Sequence, residues 1–117
     1  MKTVLVLSVL GILLLCGCTG SPVHQTLTQS SKATEIRRNH DNLLKLRVGM
    51  TAAQTAGIMG KPSFTEGYGW GSAWMYRTAM STGVYSEAPE DFTPILLGTD
   101  GKVIGWGRQA YDKMLRL

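Results

Sequence analysis

From Val4 to Leu15 every residue except Ser8 and Gly11 is apolar, with no polar face at any helical or strand period. From Thr19 to Lys32 the pattern inverts to TGSPVHQTLTQSSK, where polar residues dominate and no apolar period survives. That composition predicts a flexible linker. Helical spacing begins at Thr34 and runs to Leu46, with Ile36, Leu43 and Leu44 as the apolar stripe and His40 and Arg47 in phase. Asp41 is an alternative cap for a shorter helix from Asn42, and both readings bring Leu43 and Leu46 to the core.

The strongest local signal is Thr51-Ala52-Ala53-Gln54, which has the spacing of a capping box and predicts a second helix starting at Ala52. Gly60 supplies its left-handed stop and Pro62 bars continuation. Gly57 inside it costs about 1 kcal/mol relative to alanine, which suggests a place where a strand packs closely. Beyond Pro62 the apolar period falls to two: Phe64, Trp74 with Tyr76, and Ile95 with Leu97. Turns are expected at Gly67-Tyr68-Gly69-Trp70-Gly71 and at Asp100-Gly101, the latter as a two-residue hairpin. Residues 81–91 read as a polar loop. Together these predict an α+β fold, two N-terminal helices on one face of a three- to four-stranded antiparallel sheet. Alternation puts Trp74 and Tyr76 on one sheet face and Met75 and Arg77 on the other.

The amino terminus has the order of an export signal: the positive Lys2, the apolar run, then small residues and cysteine. A bilayer-spanning helix needs about 20 apolar residues, so a run of this length fits a signal segment better than a permanent span. Leu15-Cys16-Gly17-Cys18 resembles a bacterial lipobox, with a bulky aliphatic residue three before Cys18 and a small one directly before it. The resemblance implies cleavage between Gly17 and Cys18, acyl chains on the Cys18 sulfur, and stable anchoring through more than one chain. Thr19 after the cysteine fits the outer-membrane version of the sorting rule. The expected organisation is a signal peptide at 1–17, a lipidated cysteine and polar tether at 18–33, and a domain at 34–117 facing the periplasm.

Composition narrows the chemistry. The net charge is +4 and the chain has two cysteines and two histidines. Cleavage removes Cys16 and lipid occupies Cys18, leaving no thiol for redox or nucleophilic work. His24 lies in the tether and His40 on the first helix, so no histidine reaches the sheet region. No nucleophile–base spacing is visible, and Glu87, Glu90 and Asp91 read as an exposed acidic loop rather than a carboxylate pair. The chain is therefore expected not to be an enzyme, and to need no cofactor or metal. Positive charge is compatible with nucleic acid or anionic lipid, and the segment from Leu43 to Gly60 mimics a helix-turn-helix. Export argues against DNA. Gly67, Gly69 and Gly71 are flanked by strands on both sides and so fit a hairpin rather than a phosphate loop. Trp70, Trp74, Tyr76, Trp106 and Tyr111 are many aromatics for a small domain. Trp70 and Trp106, flanked by glycines, and the basic pair Arg37 and Arg38 form the candidate partner surface.

Leu46-Arg47-Val48-Gly49-Met50-Thr51 followed by Gly60-Lys61-Pro62 resembles the helix-turn segment of the SmpA/OmlA (BamE-like) family of small outer-membrane lipoproteins. Trp74-Met75-Tyr76 and Asp100-Gly101-Lys102-Val103-Ile104 fit its strand and hairpin positions, and the likeness covers residues 41 to 107. Thr55, residues 87–92 and Gly105-Trp106-Gly107 depart from the pattern, which implies a paralogue within that family. The resemblance implies two helices on a three-stranded antiparallel sheet. It also implies protein–protein binding in the envelope, in some members to the β-barrel assembly machinery, and contact with anionic phospholipid. The alternative is a periplasmic inhibitor or ligand-binding module with a β-lactamase-inhibitor-like layout.

Overall fold

The computed structural model describes residues 20–81 and 87–117, with side chains from residue 31 onward. The export segment, Gly17 and Cys18 lie outside the described residues. The chain divides into two units, Met1–Lys32 and Ala33–Leu117. Of the first, only the start of a helix is described. That helix, α1, runs Gly20–Leu43, so residues 20–33, expected as a flexible tether, are helical. Pro22 falls in the first turn, where its missing N–H costs nothing, and no proline or glycine follows until Gly49. Extending a helix adds one hydrogen bond per residue without a second nucleation.

In the second unit the order after α1 is α2 (Ala52–Met59), β1 (Phe64–Tyr68), β2 (Gly71–Arg77), a 3-10 turn at Pro89–Asp91, β3 (Phe92–Gly98), β4 (Val103–Trp106) and α3 (Arg108–Leu115). The four strands form one antiparallel sheet in the order β1-β2-β3-β4. This is the α+β layout the periodicity predicts, with one addition. The third helix, α3, was not foreshadowed by the pattern and covers the sheet face opposite α2.

The capping box forms as its spacing requires: Gln54 N donates to Thr51 Oγ1 at 3.2 Å and Thr51 N donates to Gln54 Oε1 at 3.0 Å. Gly60 ends the helix at φ 75°, and the Tyr76 hydroxyl donates to its carbonyl at 2.8 Å, tying α2 to β2. Thr55 is fully buried and satisfies its hydroxyl by donating to the Thr51 carbonyl at 2.9 Å. Gly57 is exposed, with nothing within 4 Å of where a Cβ would stand. The close strand contact expected there is absent because α2 turns Thr55 and Met59 to the sheet instead.

The two faces of the sheet carry separate cores. Leu46, Met59, Tyr76, Ile95, Leu97 and Val103 pack on the α2 side, joined by Leu43, Met50 and Trp74. Ala73, Met75, Phe92, Leu96 and Tyr111 pack on the α3 side with Tyr68, Ala110 and Met114. Each large aliphatic side chain so buried contributes about 1.5–3 kcal/mol. Leu44, expected in the apolar stripe, is 87 % exposed, because α1 ends at Leu43 and the chain turns there. Asn39 takes the inward position instead, donating from Nδ2 to the Arg77 carbonyl at 2.8 Å.

The β3–β4 hairpin has a three-residue loop rather than two. Gly101 N donates to the Gly98 carbonyl and Gly98 N to the Lys102 carbonyl, both at 2.9 Å. Only Gly101 takes positive φ, 74°, which is the type I turn plus bulge that restores strand twist. The free side of β4 is closed: Gly49 N donates to the Val103 carbonyl and Val103 N to the Met50 carbonyl, each at 2.8 Å. Nothing among the described residues closes the free side of β1.

Candidate functional site

A pocket of about 200 Å³ opens on the α3 face of the sheet. Its walls are Phe64, Met75, Phe92 and Tyr111, with Glu66 and Arg108 as polar members and Glu87 and Pro89 at its margin. Period two in β1 sends Phe64, Glu66 and Tyr68 to this one face. Met75 stands beside Phe64 in the ladder, and Phe92 meets Phe64 edge-on with ring centroids 5.0 Å apart. The remaining wall comes from α3. Gly107 enters that helix at φ 94°, and its amide donates to the Pro94 carbonyl at 2.9 Å. This seats Arg108 and Tyr111 over the sheet.

Three oxygens meet at the side of the pocket where Glu66 and Tyr111 line it. The Tyr68 hydroxyl donates to Glu66 Oε2 at 2.6 Å, the Tyr111 hydroxyl to the same atom at 2.5 Å, and the two hydroxyls lie 2.7 Å apart. Two hydroxyl protons cannot serve three contacts at once: either both go to Glu66, or one tyrosine donates to the other and only the second to the carboxylate. Hydrogen bonds to the ionised form favour it. The Tyr111 and Tyr68 hydroxyls, aided by the Arg108 charge, hold the Glu66 carboxyl below its ordinary value. Burial and the bond to Glu66 push Tyr111 up, and the bond to Glu66 does the same to Tyr68. Glu66 is therefore a fixed anion at neutral pH. Its other oxygen, Oε1, accepts no hydrogen bond among the described residues.

Arg108 is occupied by backbone. Its Nη2 donates to the Pro89 carbonyl at 2.5 Å and to the Phe92 carbonyl at 3.3 Å, and its guanidinium lies over the Tyr111 ring at 5.4 Å. Behind the pocket Arg77, 1 % exposed, lies 3.6 Å from Asp91, 0 % exposed, and stacks over the Phe92 ring at 4.5 Å. The acidic loop reading is thus corrected in part. Glu87 and Glu90 are exposed, but Asp91 is buried because Arg77 gives it a counter-charge and Ser81 N donates to it at 2.9 Å.

The residues singled out from sequence are scattered. Arg37, Arg38 and His40 are exposed on α1, and His24 lies in α1 among residues whose side chains are not described. Trp106 packs on the α2 side of the sheet and Trp70 on the α3 side, stacked on Tyr68 at 5.0 Å. Both are half-buried, but on opposite faces, so they do not form one surface. Gly67, Gly69 and Gly71 belong to the β1–β2 hairpin. Of the pocket residues Tyr111 and Glu87 were singled out for candidate chemistry, Phe64 and Met75 were read as strand positions, and Glu66 and Arg108 carried no signal in the sequence. Among the described residues no group of three or more His, Cys, Asp or Glu is placed to hold a metal, and no helix is long and apolar enough to cross a membrane.

Comparison with curated proteins and with solved structures returned no match. A family model described as "Protein of unknown function (DUF3192)" matches residues 21–113, which span all of α2, the four strands and most of α3. The chain belongs to the DUF3192 family.

Proposed function

We propose that this chain is a lipid-anchored envelope protein, held at the outer membrane through Cys18, whose periplasmic α+β domain is a protein–protein interaction module. The observation that carries the reading is the aromatic pocket beside the open sheet edge, with Glu66 fixed as an anion inside it. Concave aromatic sites with one oriented charge are where interfaces place their anchor side chains. Leu15-Cys16-Gly17-Cys18 and the likeness of residues 41 to 107 to the SmpA/OmlA family support the compartment and extend the proposal to partners in β-barrel assembly or envelope integrity.

The anchor is tested by metabolic labelling with a clickable fatty acid. Cys18→Ser abolishes label and Cys16→Ser leaves it; the reverse pattern rejects the lipobox assignment. The module is tested by crosslinking in native membranes followed by partner identification. Recovery of barrel-assembly components supports the proposal. Recovery of a single periplasmic enzyme favours the inhibitor alternative, and no crosslinked protein at all rejects an interaction role.

A further inference from the structure

Among the described residues the β1 edge of the sheet is open, and Phe64 and Glu66 of that strand line the pocket. Tyr68 and Gly71 close the two-residue β1–β2 turn, and such a closing pair is hydrogen-bonded. By antiparallel alternation Phe64, Glu66 and Tyr68 then spend their main-chain groups on β2, while Thr65 and Gly67 turn theirs outward. Thr65 and Gly67 are exposed, and an added Cβ at Gly67 would meet nothing within 4 Å. An unpaired row of this kind is a template for another strand.

We propose that β1 binds an extended segment of a partner protein by strand addition, seating a basic side chain of that segment, arginine or lysine, in the pocket against Glu66. This rests on the interaction-module reading and specifies its ligand. A residue laid opposite Glu66 falls in a pair without mutual hydrogen bonds, whose Cα atoms stand about 4.5 Å apart. Its side chain then enters on the same face as Phe64 and Glu66. The apolar stem of a lysine or arginine suits the walls of Phe64, Phe92 and Tyr111. The head meets Glu66 Oε1; Glu87, also among the pocket residues and 76 % exposed, lies 4.0 Å from Arg77 and is engaged there. An acidic or phosphorylated side chain fits poorly, since Arg108 already spends its Nη2 on two carbonyls while Glu66 stays ionised. A second copy of the chain fits poorly too. β1 has five residues with Glu66 at its centre, so two-fold pairing would set two carboxylates opposite each other, and like charges there are destabilising.

The test uses the full chain in detergent micelles and a fluorescein-labelled short peptide of alternating threonine and valine with a central arginine. Binding is read by anisotropy, and protection by hydrogen exchange at individual amides. The expected result is slowed exchange at Thr65 and Gly67 on peptide addition. Exchanging the peptide arginine for glutamine, or Glu66→Gln in the protein, weakens binding about tenfold, roughly 1.4 kcal/mol. The two changes together cost little more than either alone. Gly67→Pro removes only an outward N–H and is tolerated on an edge strand. It abolishes binding while circular dichroism stays unchanged. Binding indifferent to the central charge, or protection away from β1, overturns the inference. So does sedimentation showing a dimer that Gly67→Pro disrupts. A crosslinked envelope partner whose capture survives both variants overturns strand addition while leaving the interaction module standing, whereas absence of any partner removes the module itself.

Discussion

Arg77 and Asp91 face each other across 3.6 Å with almost no solvent contact on either side. Removing two charges from water costs several kcal/mol per ion, which their attraction repays only with good geometry and further partners. Here Asp91 also accepts from Ser81 N, and Arg77 lies on the Phe92 ring. Losing one partner is therefore far worse than losing both. Asp91→Ala is expected to cost about 3–5 kcal/mol, read as a lower urea midpoint at unchanged slope. Arg77→Met combined with Asp91→Leu should recover most of that loss. The Asn39 bond survives in both variants, since it goes to the Arg77 carbonyl rather than its side chain. If the double variant is no more stable than Asp91→Ala, the deficit is one of packing and not of charge. Neither member was legible beforehand. Alternation in β2 put Arg77 on the face opposite Tyr76, which is right, but strand period alone says nothing of what covers that face. Thr55 is similar: a hydroxyl at a core position reads as a misfit until its back-bond to Thr51 is seen.

Elements whose signals are local were the ones read correctly. The capping box of α2, its Gly60 stop and the period-two strands depend on residues within four positions of one another. Gly57 is the weak point that remains. It lies within an exposed turn of α2, with no atom within 4 Å of an added Cβ. Gly57→Ala should stabilise the domain by about 0.5–1 kcal/mol through helix propensity and the unfolded chain. Thermal unfolding checks this, and an unchanged or lowered midpoint would mean that α2 frays before the domain unfolds. Gly71 is the opposite case. A Cβ there would stand 1.9 Å from the Leu97 carbonyl oxygen, at φ 147°, and backbone cannot step aside as a side chain can. Gly71→Ala should separate β2 from β3 at that end and lower stability by more than about 3 kcal/mol, in the range reserved for strained or overpacked sites. What escaped the pattern has physical reasons. The eight residues of α3 carry Ala110, Tyr111 and Met114 over barely two turns, too short a run to separate helix from coil. The helical start of α1 is a propagation effect that polar composition hides.

At the scale of the molecule, the site exists only because distant segments converge. Tyr111 meets Glu66 across 45 positions of sequence and Tyr68 across 43, and no local motif could have announced that meeting. Its titration gives the whole domain a recognisable stability profile. The folded-state value of Glu66 lies below its ordinary 4.5, so the unfolded chain takes up the proton first as acid is added. Its contribution is complete above about pH 4.5 and is lost as pH falls through the lowered folded value. The tyrosines act at the other end. Tyr111 and Tyr68 are raised from 10.0, and burial pushes Tyr76 up to about 12. Their contribution is complete below about pH 10 and drains away above it, for Tyr76 between about 10 and 12. Urea midpoints measured across pH should therefore form a plateau with two falling limbs. Glu66→Gln flattens the acid limb and leaves the Tyr76 part of the alkaline one. Tyr111→Phe removes a donor to Glu66 and a buried phenol together, so it shallows both limbs. An acid limb of unchanged slope in Glu66→Gln would place the responsible carboxylate elsewhere. A Tyr111→Phe variant that alters only the alkaline limb would mean that Tyr68 alone holds Glu66 in its ionised form.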